Sequence, residues 1–292
     1  MKNIIVVTGG AGFIGSNLIK LLVKKTNQKI ISIDNYFSGS KKNHIIHKNV
    51  KYVNGENSNI SNLLEKNKKR IKIIFHFGEF SRIFKSFKFI DRCMYSNLMG
   101  TYEVVKFCSK NKIRIIYSAS SSKFGNKGKD EHLSPYSWTK SKNIELIKNY
   151  SKWYGLKYEI LYFYNVYGIG QIRDHEMAAV IGIFESQYLK NKKLTVVNPG
   201  NQKRDFTHID DIVGGCYLAW KKGRQDDYLI CSHKEYSILQ VAKMFKRPII
   251  FIPKRPGERL RSSKTNKKSL VHLGYRPQKN LKDYIKNFIS NN

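Results

Sequence analysis

A tyrosine and a lysine four residues apart give this chain a candidate acid–base pair. The stretch SPYSWTKSK places Tyr136 and Lys140 on one face of a predicted helix, because residues i and i+4 are neighbours on a helix surface. An ammonium group nearby would stabilise the phenolate form of tyrosine. Tyr136 could then act as a general base. A lysine-rich chain also produces this pattern by chance, so its position must support the interpretation.

A run of hydroxyls comes shortly before this pair. Residues 118–125 read SASSSKFG, with four serines, one lysine and no acidic residue, at the end of a predicted strand. Serine hydroxyls can position a polyol substrate and pass protons along hydrogen bonds. The loop therefore suits a reaction that needs hydroxyls and no carboxylic acid.

The N-terminal segment has the pattern of a dinucleotide-binding turn. Apolar residues 3–7 precede TGGAGFIG, and SNLIKLLVKK follows with helical periodicity. Glycines at positions 9, 12 and 15 permit a tight turn and a close approach of a pyrophosphate at the helix N-terminus. Asp34 ends the next predicted strand, where a carboxylate can bind ribose hydroxyls and repel a 2′-phosphate. The pattern predicts NAD rather than NADP, and the alternative is a turn that binds nothing.

The segments after this turn continue to alternate between strands and helices. KYVNG, IKIIFHFG, IRIIYSAS and YEILYFYN are predicted strands, and residues 91–111 and 136–154 are predicted helices. This order predicts an α/β fold, a doubly wound parallel sheet of Rossmann type with a smaller C-terminal α/β substrate lobe. We expect residues 1–164 with about 207–231 to form the NAD-binding domain, and residues 165–206 with 232–292 to form the lobe.

The composition limits the classes of function. Of 292 residues, 41% are hydrophobic, which is typical of a globular protein, and no apolar run is long enough to span a bilayer. A cytoplasmic protein without a membrane partner is expected. The four cysteines lack metal-ligand or CxxC spacing, so we expect no metal and four core residues: Cys93, Cys108, Cys216 and Cys231.

The net charge of the chain is strongly positive. Lys and Arg number 54 against 21 Asp and Glu, which gives +33. Such a charge attracts polyanions. The lysines are nevertheless spread along the whole chain, as an AT-rich coding sequence would produce, so no specific nucleic-acid partner is expected.

A series of motifs connects these features over nearly the whole chain. In order, they are TGGAGFIGSNL, IDNYFSG, FHF, SNLMGT, YSASSSKFG, SPYSWTK, YFYNVYG, QKRDFTHIDDI and RPGE. This series resembles the extended short-chain dehydrogenase/reductase family, in particular its NAD-dependent nucleotide-sugar epimerases and dehydratases. Within that family it is most similar to the UDP-glucose 4-epimerases.

The resemblance implies a role for each of a set of residues. The catalytic residues would be Ser120, Tyr136 and Lys140. Residues that would contact the cofactor are Gly9, Gly12, Phe13, Ile14, Gly15, Asp34, Asn35, Glu56, Asn57, Phe77, Gly78, Asn97, Tyr136, Lys140 and Tyr164. Residues that would contact the UDP-sugar are Ser122, Asn165, Arg204, Arg255, Glu258 and Ser262, the last leaving room for an N-acetyl group at carbon 2.

The serine loop favours one reaction within this family. The resemblance implies that a dehydratase would carry an Asp-Glu pair where this chain has Ser121 and Ser122. Without that acid, the expected reaction is NAD-dependent epimerisation at carbon 4 of a UDP-hexose through a transient 4-keto sugar. The usual HLAA is HFGE here, which puts Gly78 and Glu79 beneath the nicotinamide.

Several alternatives stay open at this point. Arg82, in the unusual segment FSRIF, could bind a carboxylate, as in a UDP-glucuronate epimerase, and an NAD-dependent nucleotide-sugar reductase is a further possibility. A non-catalytic dinucleotide sensor or a nucleic-acid binder would explain the turn or the charge, although the Tyr136–Lys140 pair argues against a sensor. The resemblance also implies a homodimer through the two predicted helices. Tyr102, Phe107, Trp153 and Tyr154 are candidate contacts, and the equal alternative is that they are aromatic core residues.

Overall fold

The central strands of the large sheet are short runs rich in β-branched and aromatic residues. A computed structural model of the protein describes residues 3–257 and 267–292. The strands are β1 (Ile4–Thr8), β2 (Lys29–Asp34), β3 (Val50–Asn54), β4 (Ile71–His76), β5 (Arg114–Ser120), β6 (Tyr158–Phe163), β7 (Val166–Tyr167), β8 (Leu194–Val197), β9 (Lys203–Asp205), β10 (Thr207–His208), β11 (Asp227–Ile230), β12 (Glu235–Ser237) and β13 (Ile249–Ile252).

Helices occupy most of the connections between these strands. They are α1 (Phe13–Lys25), α2 (Ile60–Leu64), α3 (Lys85–Lys88), α4 (Ile90–Met94), α5 (Gly100–Lys110), α6 (Pro135–Tyr154), α7 (Val180–Leu189), α8 (Ile209–Lys222), α9 (Ile238–Met244), α10 (Lys268–Leu273) and α11 (Leu281–Ser290). A π-helical turn at Tyr95–Met99 joins α4 to α5, and a 3₁₀ segment spans Ser121–His132. Within residues 3–257 and 267–292, no helix is both long and apolar enough to cross a membrane.

Seven strands form one sheet in the order β11-β6-β5-β4-β1-β2-β3. Every pair in it is parallel. Helices cover both faces, and each face packs its own cluster of buried apolar residues. The predicted Rossmann-type fold is confirmed. The order of the strands reverses between β1 and β4, and in such sheets ligands bind outside the carboxyl ends of the strands at that point.

The later part of the chain builds a smaller lobe. Its short sheets pair β8 with β13, β9 with β12, and β7 with β10. A separate apolar cluster, which includes Phe184, Phe245 and Phe288, holds α7, α9 and α11 together. Helix α10 departs from the expected division, because Leu273 and Tyr275 pack into the core of the large sheet rather than into the lobe.

The candidate dimer contacts differ in exposure. Phe107 is only 4% exposed and belongs to the core of the large sheet, which is the alternative that the sequence left open for it. Tyr102 is half-buried. Trp153 and Tyr154, at the end of α6, are 62% and 66% exposed. The four cysteines are buried and free.

An ion pair connects the start of β6 to α8. The Glu159 side chain, 1% exposed, pairs with Arg114, whose guanidinium also donates to the carbonyls of Trp220 and Ala219. Burial raises the pKa of Glu159, and the Arg114 charge opposes that rise.

We expect Arg114→Met to lower the free energy of unfolding by on the order of 3 kcal/mol, because it leaves the buried Glu159 without its counter-charge. Urea denaturation measures the change. Lys142→Met, which removes an exposed pair with Glu145, is the control, and its expected loss is below about 1 kcal/mol. Equal losses in the two variants would contradict the role given to this pair.

Candidate active site

One cleft of about 680 Å³ lies at the carboxyl ends of the large sheet, against the smaller lobe. Its walls come from the turns that follow β1, β2, β4, β5 and β6, and from the lobe residues around α7. Thirteen of the fifteen expected cofactor residues line it: Gly9, Gly12, Phe13, Ile14, Gly15, Asp34, Asn35, Asn57, Phe77, Gly78, Tyr136, Lys140 and Tyr164.

The glycine turn is packed so tightly that side chains do not fit. Gly9 has φ +69, and a Cβ there would lie 2.8 Å from the amide nitrogen of Gly78. A Cβ on Gly15 would overlap the carbonyl oxygen of Gly9. Gly12 caps the first turn of α1 without a side-chain hydrogen bond. The amides at this helix N-terminus are therefore open to an anion, and the turn fits the pyrophosphate of NAD.

Asp34 organises the loop on the ribose side of the turn. Its carboxylate accepts hydrogen bonds from the amides of Ala11 (2.9 Å) and Tyr36 (2.8 Å). Burial raises the pKa of Asp34, and these hydrogen bonds oppose the rise. A carboxylate at the end of β2 suits ribose hydroxyls and disfavours a 2′-phosphate.

Two of the expected cofactor residues, Glu56 and Asn97, do not line the cleft. The Glu56 carboxylate accepts a hydrogen bond from Asn35 (2.9 Å) and pairs with Arg92 (2.9 Å), both of which line the cleft. The fully buried Asn97 accepts a hydrogen bond from the amide of Phe80 (2.7 Å) and donates one to Thr139 (3.0 Å). Both residues support neighbours that face the cleft.

The start of α6 sets the position of the tyrosine and the lysine. Ser134 caps the helix by accepting a hydrogen bond from the Ser137 amide (3.1 Å), and Pro135 opens the first turn. Tyr136 and Lys140 therefore lie one turn apart, and both line the cleft. The Lys140 ammonium donates to the carbonyl of Ser118 at 2.5 Å.

The serine loop contributes three of its four serines to the cleft. Ser118, Ser120 and Ser121 line the cleft, whereas Ser122 is fully buried and does not. The Ser122 amide donates to Ser120 Oγ at 3.1 Å, which holds the loop in place. Ser121 therefore lines the cleft, whereas Ser122, which the resemblance implied as a substrate contact, does not.

The lobe side of the cleft is basic. Asn165, Arg204 and Arg255 line it, and the side-chain amide of Asn165 donates a hydrogen bond to the carbonyl of Asp205 (2.9 Å). The Arg255 guanidinium lies over the Phe84 ring at 5.1 Å. The remaining expected substrate residues, Glu258 and Ser262, lie outside the described residues.

Comparison with known proteins decides the family. The model of the NAD dependent epimerase/dehydratase family matches residues 5–231. The chain belongs to this family. The expected family and its cofactor NAD are therefore confirmed, and the chain is an NAD-dependent epimerase/dehydratase of nucleotide sugars at this level of description.

Relatives of this epimerase/dehydratase cover its full length. A protein described as a putative UDP-glucose 4-epimerase from Methanocaldococcus jannaschii is 33% identical, over 99% of both chains. The UDP-glucose 4-epimerase of Thermotoga maritima, solved with UDP-glucose, is 25% identical with a TM-score of 0.90 over 98% of this chain and 97% of that one. The UDP-glucuronic acid 4-epimerase of Bacillus cereus, solved with UDP-glucuronic acid and NAD, is 26% identical with a TM-score of 0.89 over 99% of both chains.

One residue at the centre of this epimerase/dehydratase site has no role assigned from the sequence. The carboxylate of Glu79, 1% exposed, forms an ion pair with Lys140. It also accepts hydrogen bonds from Asn143 (2.8 Å), Thr101 (2.9 Å) and Tyr117 (3.0 Å). The change from HLAA to HFGE was the available signal, but an acid in a motif does not identify its partner.

We expect Gly15→Ala to weaken NAD binding by about tenfold or more, because the added Cβ displaces the turn that approaches the pyrophosphate. Titration of the purified protein with NAD, followed by calorimetry, measures the affinity. Gly214→Ala is the matched control, since a Cβ there meets no atom within 4 Å and alanine favours the helix. Wild-type affinity in Gly15→Ala would rule out this binding mode.

Proposed function

We propose that the protein interconverts the carbon-4 epimers of a UDP-hexose, either UDP-glucose and UDP-galactose or their N-acetylated forms. One observation carries the proposal. The Tyr136–Lys140 pair shares a cleft with the glycine turn, and the loop that faces this pair contributes Ser120 and Ser121 rather than an acid.

The chain's own residues account for the proton steps. Tyr136, as the phenolate, removes the proton of the sugar's 4-hydroxyl, and Lys140 stabilises the phenolate by its charge. NAD, which the glycine turn and Asp34 would hold, would supply reversible hydride transfer at carbon 4, with return to the opposite face of the 4-keto sugar. Ser120 donates a hydrogen bond to the oxygen at carbon 4 as it changes between hydroxyl and ketone. Tyr136 then returns its proton to that oxygen, so no net oxidation occurs.

The acids of the cleft support epimerisation over dehydration. Among the described residues that line the cleft, the acids are Asp34, Glu79 and Glu176. Asp34 accepts hydrogen bonds from two backbone amides, and Glu79 forms an ion pair with Lys140. Glu176 pairs with Lys85 at 3.1 Å and Lys88 at 3.6 Å. Elimination of water needs an acid poised to protonate a leaving hydroxyl, and each of these three already has partners.

The basic lobe side of the cleft favours a substrate that contains a nucleoside diphosphate. Arg204 and Arg255 line that side, and guanidinium groups bind phosphate oxygens through paired hydrogen bonds. The relatives described as UDP-glucose 4-epimerases support uridine as the base. A homodimer remains part of the proposal, and the exposed rings of Trp153 and Tyr154 on α6 support it.

We expect proton NMR of the purified protein with NAD to show interconversion of UDP-glucose and UDP-galactose, or of the N-acetylated pair. Tyr136→Phe should lower the rate by at least about a hundredfold, because it removes the base. Tyr154→Phe, on the exposed face of the same helix, is the control and should keep the wild-type rate. Equal rates for wild type and Tyr136→Phe would contradict the mechanism, and loss of water from the sugar would identify a dehydratase.

Arg82 favours a second candidate, a UDP-uronate 4-epimerase. The half-buried Arg82 lines the cleft and donates through Nε to the carbonyl of Met177 at 2.5 Å. Burial lowers the pKa of this guanidinium, and the proximity of Tyr136 opposes that decrease. A cation this close to the proposed base could bind the carboxylate of a uronic acid. The Bacillus cereus enzyme, solved with UDP-glucuronic acid, supports the same candidate.

The variant Arg82→Met distinguishes the two substrates. If the enzyme acts on UDP-glucuronate, we expect KM for that sugar to rise about tenfold or more, because a charged hydrogen bond to the carboxylate is lost. KM for neutral sugars should stay within about twofold of wild type. Lys88→Met removes a cation whose side chain is 67% exposed beside the same cleft and serves as the control. An unchanged KM for UDP-glucuronate in Arg82→Met would exclude this candidate.

A further inference from the structure

We propose that Glu79 is a positioning residue for the catalytic lysine. It holds Lys140 at the carboxyl ends of the strands, and its negative charge offsets part of the effect of the Lys140 charge on Tyr136. The inference rests on the proposed roles of Tyr136 and Lys140. It adds a third residue, which adjusts the basicity of Tyr136, to the Tyr136–Lys140 pair that the resemblance implies. Its consequence is that the strength of the base depends on a carboxylate that the usual HLAA sequence lacks.

The ion pair lies inside the protein. Side-chain exposure is 6% for Lys140 and 1% for Glu79, so bulk water does not screen their interaction. Among the described residues, Glu79 and the carbonyl of Ser118 accept hydrogen bonds from the Lys140 ammonium. Of the three ammonium protons, one remains for the cleft. Glu79 thus determines both where Lys140 Nζ lies and which donor faces Tyr136 and the bound substrates.

The Glu79 carboxylate is itself held by surrounding donors. One oxygen, Oε1, accepts from Thr101, Tyr117 and Asn143, while Oε2 faces Lys140. These donors come from α5, β5 and α6. Rotation of the carboxylate would leave several buried donors without an acceptor, which is costly. The carboxylate is therefore fixed relative to three elements of the fold.

A directed chain of hydrogen bonds connects this carboxylate to the start of the glycine turn. Thr8 Oγ1 accepts from the amides of Phe77 and Gly78, both at 3.1 Å, so its own proton points to His76 Nδ1 at 2.7 Å. His76 then donates from Nε2 to Thr101 at 2.9 Å, and Thr101 donates to Glu79 at 2.9 Å. Burial lowers the pKa of His76 to about 4, so the ring is neutral and the chain keeps this direction.

The other titratable groups near the pair are neutral at physiological pH, apart from Arg82. Tyr117 on β5 has a pKa raised well above its ordinary value by burial and then by Glu79. Burial also raises the pKa of Cys93 on α4 to about 11. With His76 on β4 neutral, Glu79 is the one negative charge against Lys140 among the described groups that face it. Removing that charge leaves the Lys140 ammonium, with Arg82, to act on Tyr136 unopposed.

The test is the ionisation of Tyr136, followed by tyrosine absorbance at 295 nm in the protein without substrate. The Tyr136 signal is the difference between each protein and its Tyr136→Phe derivative. In Glu79→Gln we expect this ionisation to occur at a pH lower by about one unit, because an opposing charge has been removed. The acidic limb of the kcat/KM profile should shift in the same direction.

The matched control is Glu159→Gln. It removes an equally buried carboxylate from an ion pair with Arg114 at the opposite ends of the strands. Both Glu→Gln variants lose stability, but only Glu79→Gln should move the Tyr136 titration. A merely structural role would leave that titration at the wild-type pH in both variants, and this result would overturn the proposal.

A second variant covers the case in which Glu79→Gln does not fold. Tyr117→Phe removes one donor from Glu79 and keeps the ring. The carboxylate then interacts more strongly with Lys140, so Tyr136 should ionise at a higher pH, the opposite sign to Glu79→Gln. No shift, or a shift to lower pH, would refute the proposal. The absorbance titration needs neither turnover nor a known sugar, so failure of the proposed function leaves this test intact.

Discussion

Parallel pairing of the seven strands is the constraint on which the site depends. Because every strand runs in the same direction, the turns after β1, β2, β4, β5 and β6 all open at one edge. That edge receives the glycine turn, Asp34, Glu79 and the serine loop from segments far apart in sequence. An antiparallel arrangement of the same strands would divide these residues between two edges. The chemistry of the chain is therefore a consequence of strand direction as much as of residue type.

The two apolar clusters that flank the sheet make a buried ion pair possible in this position. Strands β1, β4 and β5 are almost fully covered on both faces, so groups at their ends lie at the boundary between a dry core and an open cleft. Glu79 and Lys140 occupy this boundary. A charge there is weakly screened, and its neighbours feel it strongly. The same pair on an exposed helix would have little effect on a nearby phenol.

The local patterns in the sequence were sufficient for the fold and for the residues that lie in the turns. The glycine turn, Asp34, and the Tyr136–Lys140 pair each follow from short-range geometry, and each lies in the cleft. Predictions that needed side-chain direction were less complete. A run of three serines does not indicate which hydroxyl faces the cleft, and Ser121 lines it where Ser122 does not. The sequence offered Phe107 as an interface residue or a core residue, and its position on α5 places it in the core. The partner of Glu79 is 61 residues away in sequence, so only tertiary structure reveals it.

Exposed ion pairs and an apolar cluster that includes Phe80 and Met177 join the two sides of the cleft. Lys85 and Lys88 extend from the large domain to Glu176 on the lobe side, and the carboxylate is 37% exposed. Ions in solution weaken attractions between exposed charges, with a screening length of about 8 Å at physiological ionic strength. The mouth of the cleft should therefore be held more loosely in concentrated salt than in dilute buffer. The buried pair at its base, by contrast, is insulated from the ionic composition of the surroundings.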